Sequence, residues 1–159
     1  MKLIRFGQFG CEQPGVELET GVRKDCSAHF SDWDRSFFAG EGMKQLAEMV
    51  SLDGHHLPTV DCNARLGAPI ARPGKILGIG LNYSDHAKES GMAEPEEPIV
   101  FMKAPNAVIG PTDDIIIPRG STKTDWEVEL GVVIGREAHF SSSDVANGRR
   151  ARAATRSIR

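Results

Sequence analysis

The amino-acid sequence predicts a mixed α+β fold dominated by short strands, with a small domain at the N-terminus. Runs of β-branched and apolar residues recur along the chain, and glycine or proline separates them. Helical spacing is confined to short stretches, so helices should be few and brief. With an apolar fraction of 40%, the chain can form a packed core.

Residues 1–66 are predicted to form the small N-terminal domain. Alternation over Met1 to Phe6 predicts an edge strand, glycines and Pro14-Gly15 predict turns, and Val16 to Leu18 can return as the hairpin partner. Between Met43 and Val50, the apolar positions 43, 46, 47 and 50 share one helical face. This domain should therefore combine a hairpin with one amphipathic helix.

Residues 67–140 are predicted to form part of a second, strand-rich domain, entered through a proline-containing connector at 61–73. The predicted strands are Ile76–Leu81, which is expected to be buried, then Ile99–Lys103, Asp114–Ile117 and Trp126–Ile134. A short helix is predicted between the first two, with Ser84 or Asp85 as the N-cap and Gly91 at its end.

Charge and cysteine content exclude several classes of protein. The net charge is −3, and without the five arginines of residues 149–159 the chain has 14 basic and 22 acidic residues. Residues 1–148 therefore carry no basic surface of the kind that binds nucleic acid. The three cysteines form no C-x-x-C pair, which fits a reducing cytoplasm. No apolar run reaches the length of a membrane span or a signal peptide. We therefore expect a cytoplasmic protein with no membrane or nucleic-acid partner.

Glu127 and Glu129 alternate along the predicted strand Trp126–Ile134, so both carboxylates should lie on one face, opposite an entirely apolar one. Two neighbouring carboxylates repel each other, and a hard divalent cation such as Mg²⁺ removes the repulsion. The alternative is a half-exposed strand with a solvated acidic face. Spacing alone leaves both interpretations open.

His86 and Glu89 are three residues apart on the predicted short helix and share a face. A carboxylate beside an imidazole orients the ring and raises its basicity, which can activate a water molecule near neutral pH. The alternative is an ordinary surface contact. Lys103, at the end of a predicted strand, could pair with a substrate carboxylate as a point charge, or could be a surface lysine.

Four segments in order resemble the fumarylacetoacetate hydrolase family. They are Ile79-Gly80-Leu81-Asn82-Tyr83-Ser84-Asp85-His86-Ala87-Lys88-Glu89, Pro98-Ile99-Val100-Phe101-Met102-Lys103, Ile117-Pro118-Arg119-Gly120-Ser121 and the strand containing Glu127 and Glu129. The opening Met1 to Gly7 and the run Lys123 to Gly135 are most similar to the branch named diketo-deoxy-fuconate hydrolase or ureidoglycolate lyase. The resemblance extends from Met1 to about residue 140.

The resemblance implies the family's mixed β-sandwich roll and a Mg²⁺- or Mn²⁺-dependent hydrolase that cleaves a carbon–carbon bond of 2,4-dioxo acids, such as diketo-deoxy sugar acids. It implies that Glu127 and Glu129 hold the metal, and that His86 and Glu89 form the water-activating pair. A homodimer is expected for the full-length family form. Decarboxylation, isomerisation and ureidoglycolate lyase activity stay open as related chemistries.

Residues 141–159 depart from the family pattern. Five of the last eleven residues are arginine and none is acidic, so a disordered, divergent tail is predicted. The third metal ligand of the family, an aspartate, and a later lysine have no counterpart here. The sequence therefore predicts an incomplete, C-terminally truncated roll with impaired or absent catalysis, or a non-catalytic fragment that serves as an interaction module.

Overall fold

The computed structural model describes residues 1–135, and its elements are short strands and short helices. In chain order they are β1 (Lys2–Phe6), β2 (Gln13–Glu17), β3 (Arg23–Asp25), α1 (Arg35–Ala39), α2 (Gly42–Asp53), β4 (Ile76–Gly80), α3 (Ser84–Glu89) and β5 (Ile99–Lys103), followed by a 3-10 turn at Pro105–Ala107. The mixed α+β class is thus confirmed. The predicted tail at 141–159 lies outside the described residues.

The chain divides into two compact units. One comprises Met1–Ala71 and the chain from Ile109, and the other is Arg72–Val108. No helix among residues 1–135 has the length and apolar character needed to cross a membrane.

The first unit contains an antiparallel sheet in the order β1-β2-β3, so the predicted N-terminal edge strand and its hairpin are confirmed. The return strand begins earlier than predicted and includes Pro14 and Gly15, which the sequence had placed in a turn. A Cβ atom on Gly15 would lie 2.7 Å from the carbonyl oxygen of Lys24 on β3. This position of β2 is therefore occupied by glycine, because the backbone of β3 approaches too closely to leave room for a side chain.

Trp33 lies at the centre of the first unit's core and is fully buried. Its indole Nε1 donates hydrogen bonds to the carbonyl oxygens of Ile4 (2.7 Å) and Gly15 (3.2 Å), which attaches the core to both hairpin strands. The ring of Phe37, on α1, lies 4.5 Å from the Trp33 ring. Asp34 is the N-cap of helix α1, and its carboxylate accepts a hydrogen bond from the Phe37 amide.

Helix α2 confirms the amphipathic pattern predicted for residues 43–50. Leu46 is fully buried, and Met43 and Val50 pack against the same core. Ala47, predicted on this face, is exposed, while Met49 packs against the core instead. Burying the thioether side chain of Met49 removes more apolar surface from water than burying the methyl group of Ala47 would.

Lys24 on β3 is buried, and its ammonium group donates three hydrogen bonds. The acceptors are the carbonyl oxygens of His55 (3.0 Å) and Leu57 (2.8 Å) and the hydroxyl of Thr59 (3.1 Å). Three N–H groups thus meet three acceptors, as a buried ammonium requires. Lys24 joins β3 to the loop that follows α2.

The second unit contains β4 and β5, paired antiparallel with Leu77 opposite Met102 and Ile79 opposite Val100. Both strands were predicted, but β4 ends at Gly80, and the expectation that it is buried is wrong. Leu77 is 59% exposed and Ile79 is 40% exposed. A two-stranded sheet has no second layer of its own, so apolar side chains on this face stay at the surface.

The predicted strands Asp114–Ile117 and Trp126–Ile134 are not formed in the described structure. The five apolar residues predicted to face a core are exposed, from 49% for Val132 to 78% for Trp126. A strand exists only through hydrogen bonds to a neighbouring strand, so β-favouring residues do not form one where the fold supplies no neighbour.

Candidate active site

The segment that carries His86 and Glu89 is built by a sharp turn after β4. Leu81 has φ of 50°, an unusual left-handed conformation for a residue with a branched side chain. Helix α3 then starts at Ser84, with Tyr83 as its N-cap residue and no side-chain hydrogen bond from the cap. The predicted capping by Ser84 or Asp85 is therefore wrong, because both lie within the first turn.

The end of α3 is closed as predicted by Gly91, whose φ is 66°. The amide of Gly91 donates to the carbonyl of Lys88 (3.1 Å), and the amide of Met92 donates to the carbonyl of Ala87 (2.9 Å). This pair of bonds is the Schellman motif, which requires a left-handed residue that glycine adopts at low cost. The glycine thus fixes the length of a helix that is otherwise too short to be stable alone.

His86 and Glu89 are both exposed on α3, whereas Ala87 is fully buried. The helical spacing places the two polar side chains on one side of the helix, away from the buried side of Ala87. The structure shows no hydrogen bond or ion pair between the imidazole and the carboxylate. The pair is therefore accessible to solvent and within one helical turn, and its catalytic roles stay a prediction.

Lys103 ends β5 and shares a strand face with Phe101. Its ammonium nitrogen lies 5.8 Å from the centroid of the Phe101 ring, within range of a cation–π interaction. The same ring covers Gly78 on β4, where it occupies the place that a Cβ atom would need. Gly78 thus provides the space for the ring beside which Lys103 is held. Its predicted substrate contact stays a prediction.

Glu127 and Glu129 lie in an exposed segment without strand structure. Their shared strand face is therefore not formed in this structure. Carboxylate oxygens are the donors that Mg²⁺ and Mn²⁺ prefer, so the donor chemistry fits a hard divalent cation. No group of three potential metal ligands occurs within residues 1–135, however.

The predicted site residues fall into the two compact units. His86, Glu89 and Lys103 belong to Arg72–Val108, and Glu127 and Glu129 belong to the other unit. Within the second unit, α3 and β5 each present a polar or charged side chain next to exposed apolar surface. The predicted catalytic and substrate-binding residues thus share one unit, whereas the predicted metal ligands lie in the other.

Sequence reasoning missed the most extensive polar cluster, an alternating series of charges in the first unit. Arg5 binds Asp32 through two hydrogen bonds (2.7 and 3.0 Å), and Arg65 binds Asp113 through two more (2.7 and 2.6 Å). Glu12 lies between the two arginines, with a hydrogen bond from Arg65 (2.9 Å) and an ion pair to Arg5 (3.6 Å). We call these five residues the ion-pair series.

Electrostatics within the ion-pair series favour the charged forms. Burial raises the pKa of Glu12, but hydrogen bonds from Arg65 and from backbone amides outweigh it and hold that pKa below its usual value. The bidentate hydrogen bonds from Arg65 likewise lower the pKa of Asp113. The pKa of Arg65 is raised by the same two carboxylates, Asp113 first. Because the partners are far apart in sequence, no local pattern could have indicated the series.

Comparison with known proteins gives matches along most of the chain. Residues 75–150 match the family described as "Fumarylacetoacetate (FAA) hydrolase C-terminal". A protein of Burkholderia multivorans named "Putative hydrolase" is 50% identical over 135 residues, and one of Burkholderia ambifaria with the same description is 50% identical over 137. Each alignment covers 85% of this chain and 47% of the relative. The chain thus spans about half the length of these relatives.

Two solved structures resemble the fold. The fumarylacetoacetate hydrolase of Exiguobacterium antarcticum matches with a TM-score of 0.61 and 30% identity, over 85% of this chain and 47% of that protein. A protein described as "a putative HpcE protein" from Mycobacterium smegmatis matches with a TM-score of 0.61 and 28% identity, over 86% of this chain and 47% of that one. Residues 75–150 are thus similar to the fumarylacetoacetate hydrolase C-terminal family, and the fold is similar to that of the Exiguobacterium antarcticum fumarylacetoacetate hydrolase over 85% of this chain.

Proposed function

We propose that this chain contributes to a cytoplasmic, divalent-metal-dependent hydrolase that cleaves a carbon–carbon bond of 2,4-dioxo acids, such as diketo-deoxy sugar acids. The observation that carries the proposal is α3, which presents His86 and Glu89 on one exposed side directly after β4. The family match that begins at residue 75 includes this helix.

In this proposal, His86 accepts the proton of a water molecule as that water attacks the distal carbonyl of the substrate. The bond between that carbonyl carbon and the neighbouring carbon then breaks, the distal part leaves as a carboxylic acid, and the enolate of the 2-oxo acid takes up the proton that His86 held. Glu89, one turn away, orients the imidazole and stabilises the charge that the ring acquires. The hydrogen bond between them would form when substrate excludes water, since catalytic hydrogen bonds are often absent before the substrate binds.

Lys103 would bind the substrate carboxylate as a point charge. Its ammonium is restrained beside the Phe101 ring, so less side-chain entropy is lost on binding than for a free lysine. Glu127 and Glu129 would supply two of the ligands of Mg²⁺ or Mn²⁺. When bound, the metal would act as a Lewis acid on the 2-oxo acid group.

The catalytic test is His86→Ala in a full-length form, completed where necessary with the part of the Burkholderia multivorans relative that this chain does not span. We expect turnover of a 2,4-dioxo acid to fall about 10²-fold or more, the scale of losing a general base. Glu89→Gln should lose less, since the imidazole remains. His29→Ala, at an exposed histidine of the first unit, is the control. Equal turnover in the His86 and His29 variants would contradict the role.

The metal test compares two pairs of glutamates with the same spacing. Isothermal titration with Mn²⁺ should show lost or much weaker binding in Glu127→Ala/Glu129→Ala. The control is Glu94→Ala/Glu96→Ala, because these exposed residues are also two apart. Equal affinity in both double variants would show that Glu127 and Glu129 are not ligands.

A non-catalytic role as an interaction module is the second candidate function. The observation that favours it is the exposure of apolar side chains on both β4 and β5. Steady-state assays of residues 1–159 distinguish the two functions. Metal-dependent cleavage of a 2,4-dioxo acid at a rate near that of the full-length form would exclude the purely non-catalytic role.

A further inference from the structure

The connection between β4 and α3 is only three residues long. Strand β4 ends at Gly80 and α3 begins at Ser84, so residues 81–83 make the whole turn. Each residue contributes only two adjustable backbone angles, so the angles of a single residue can change the orientation in which the helix leaves the strand. His86 lies in the first turn of α3, and its position relative to β4 therefore depends on this connection.

Leu81 has the unusual backbone angle in this connection. Within residues 1–135, five of the seven residues with a positive φ are glycines, and the two exceptions are Leu81, at 50°, and Arg72, at 44°. A Cβ atom crowds the neighbouring backbone in this region, so leucine adopts it at a cost that glycine avoids. Gly80, directly before Leu81, does not have a positive φ. The strained conformation thus lies on leucine even though a glycine is adjacent.

Burial of the Leu81 side chain can hold this conformation. Leu81 is half-buried, whereas Asn82 and Tyr83 are exposed. Burial of apolar surface is favourable, so it offsets the backbone strain as long as the conformation that buries the side chain is kept. A glycine at this position would remove the strain, but it would also let the turn adopt several conformations. The leucine therefore selects one orientation of α3.

The orientation of α3 decides which of its side chains reach solvent. His86 and Glu89 are exposed, whereas Ala87, next to His86, is fully buried. Successive residues of a helix are about 100° apart around its axis. A rotation of α3 by one residue would therefore turn His86 to the buried side. Access of substrate to the pair of His86 and Glu89 thus requires that α3 keep one orientation.

We propose that Leu81 is a positioning residue for the reaction proposed above, and the inference rests on that function. Its left-handed conformation fixes the orientation of α3 and thereby places the imidazole of His86 and the carboxylate of Glu89 on the accessible side. Leu81 acts through the helix backbone and not on the substrate. Strained residues persist where the surrounding structure imposes them, and they are concentrated at functional sites.

The orientation of α3 is measured in residues 1–159 by residual dipolar couplings of the amides of 76–80 and 84–89. Leu81→Gly should shrink the couplings of α3 and leave those of β4 unchanged, because the helix samples more orientations. Leu81→Met is the conservative control, since methionine has nearly the same volume and the same cost of a positive φ. It should keep the wild-type couplings. Equal α3 couplings in the glycine variant and the wild type would overturn the inference.

The consequence for catalysis is measured in the full-length form described for the His86→Ala test. For a 2,4-dioxo acid, Leu81→Gly should lower kcat about tenfold or more with KM nearly unchanged, because a displaced base slows the chemical step and leaves substrate binding intact. Arg72→Gly is the matched control. It removes the other strained non-glycine residue, at a position outside the connection between β4 and α3, and should leave kcat unchanged.

Equal losses of kcat in Leu81→Gly and Arg72→Gly, or a change in KM alone, would refute the positioning role. Full turnover in His86→Ala would refute the proposed function instead. The two failures are therefore distinguished by different variants, and the dipolar couplings report the orientation of α3 without any measurement of activity.

Discussion

Lys24→Met should destabilise the first unit strongly, although it removes a buried charge. Methionine has nearly the same length and shape, so packing is conserved while all three hydrogen bonds are lost. The carbonyls of His55 and Leu57 then lose the ammonium as their donor. An unsatisfied buried polar group costs about 1–3 kcal/mol.

The magnitude follows from two opposing effects. The buried carbonyl of Leu57 costs about 1–3 kcal/mol when it loses its donor, and the partly buried carbonyl of His55 adds a smaller cost because water can reach it. The hydroxyl of Thr59 can rotate towards another partner. Methionine avoids the desolvation of an ammonium, which offsets part of this loss. We expect a net loss of about 2–4 kcal/mol in the free energy of unfolding, a large share of the 5–15 kcal/mol typical of a domain.

The assay is urea unfolding followed by the fluorescence of Trp33. Trp126 is 78% exposed, so a Trp126→Phe background leaves one buried tryptophan as the probe. Lys44→Met is the matched control, because Lys44 is exposed on α2. Surface substitutions of this kind usually change stability by less than about 0.5 kcal/mol. If the Lys24 and Lys44 variants unfold at the same urea concentration, the three hydrogen bonds contribute nothing net and the reasoning is refuted.

Three further predictions concern the first unit. The carboxylates bound by Arg65 have lowered pKa values, so they stabilise the fold above their unfolded-state pKa and lose this contribution as pH falls through the folded-state pKa. Arg65→Gln should therefore flatten the decline in thermal stability below about pH 4.5. An unchanged decline in the Arg65→Gln variant would contradict the prediction. Burial raises the pKa of the Cys26 thiol to about 12, so iodoacetamide should modify exposed Cys62 in the native protein and leave Cys26 unmodified until urea is added. Gly15→Ala should cost more than about 2 kcal/mol, since its Cβ would meet the carbonyl of the adjacent strand at 2.7 Å. Gly131→Ala, a change in the same unit with open space around it, should be nearly neutral in the same unfolding assay.

Elements with local signals could be predicted from the sequence. The apolar spacing of α2 and the glycine that ends α3 act within a few residues, so both helices were found. Strand β3 was missed because its three residues, Arg23 to Asp25, are all charged and carry no apolar alternation. It is a strand because β2 lies beside it with hydrogen bonds available. Such strands arise from tertiary pairing, which no local pattern reports.

The segment Trp126–Ile134 shows the reverse case. Its alternation is the strongest in the sequence, yet no strand forms there in the described structure. Alternation predicts which side chains could share a face, but the strand also needs a neighbour. The residue types around His86 and Glu127 likewise indicated chemistry, whereas distances between distant segments depend on the whole fold. Residue identity was therefore easier to predict than site geometry.

The bidentate pair between Arg65 and Asp113 has a consequence for how the chain can open. Both residues belong to the first unit, and the second unit, Arg72–Val108, is the stretch of chain that runs between them. The pair therefore closes the base of a loop. While the Arg65–Asp113 pair is intact, the enclosed stretch can unfold and refold as a loop with its two ends held together. The entropic cost of closing such a loop grows only with the logarithm of its length. Amides of 76–80 and 99–103 should then exchange with solvent by an opening that leaves the protection around Trp33 unchanged.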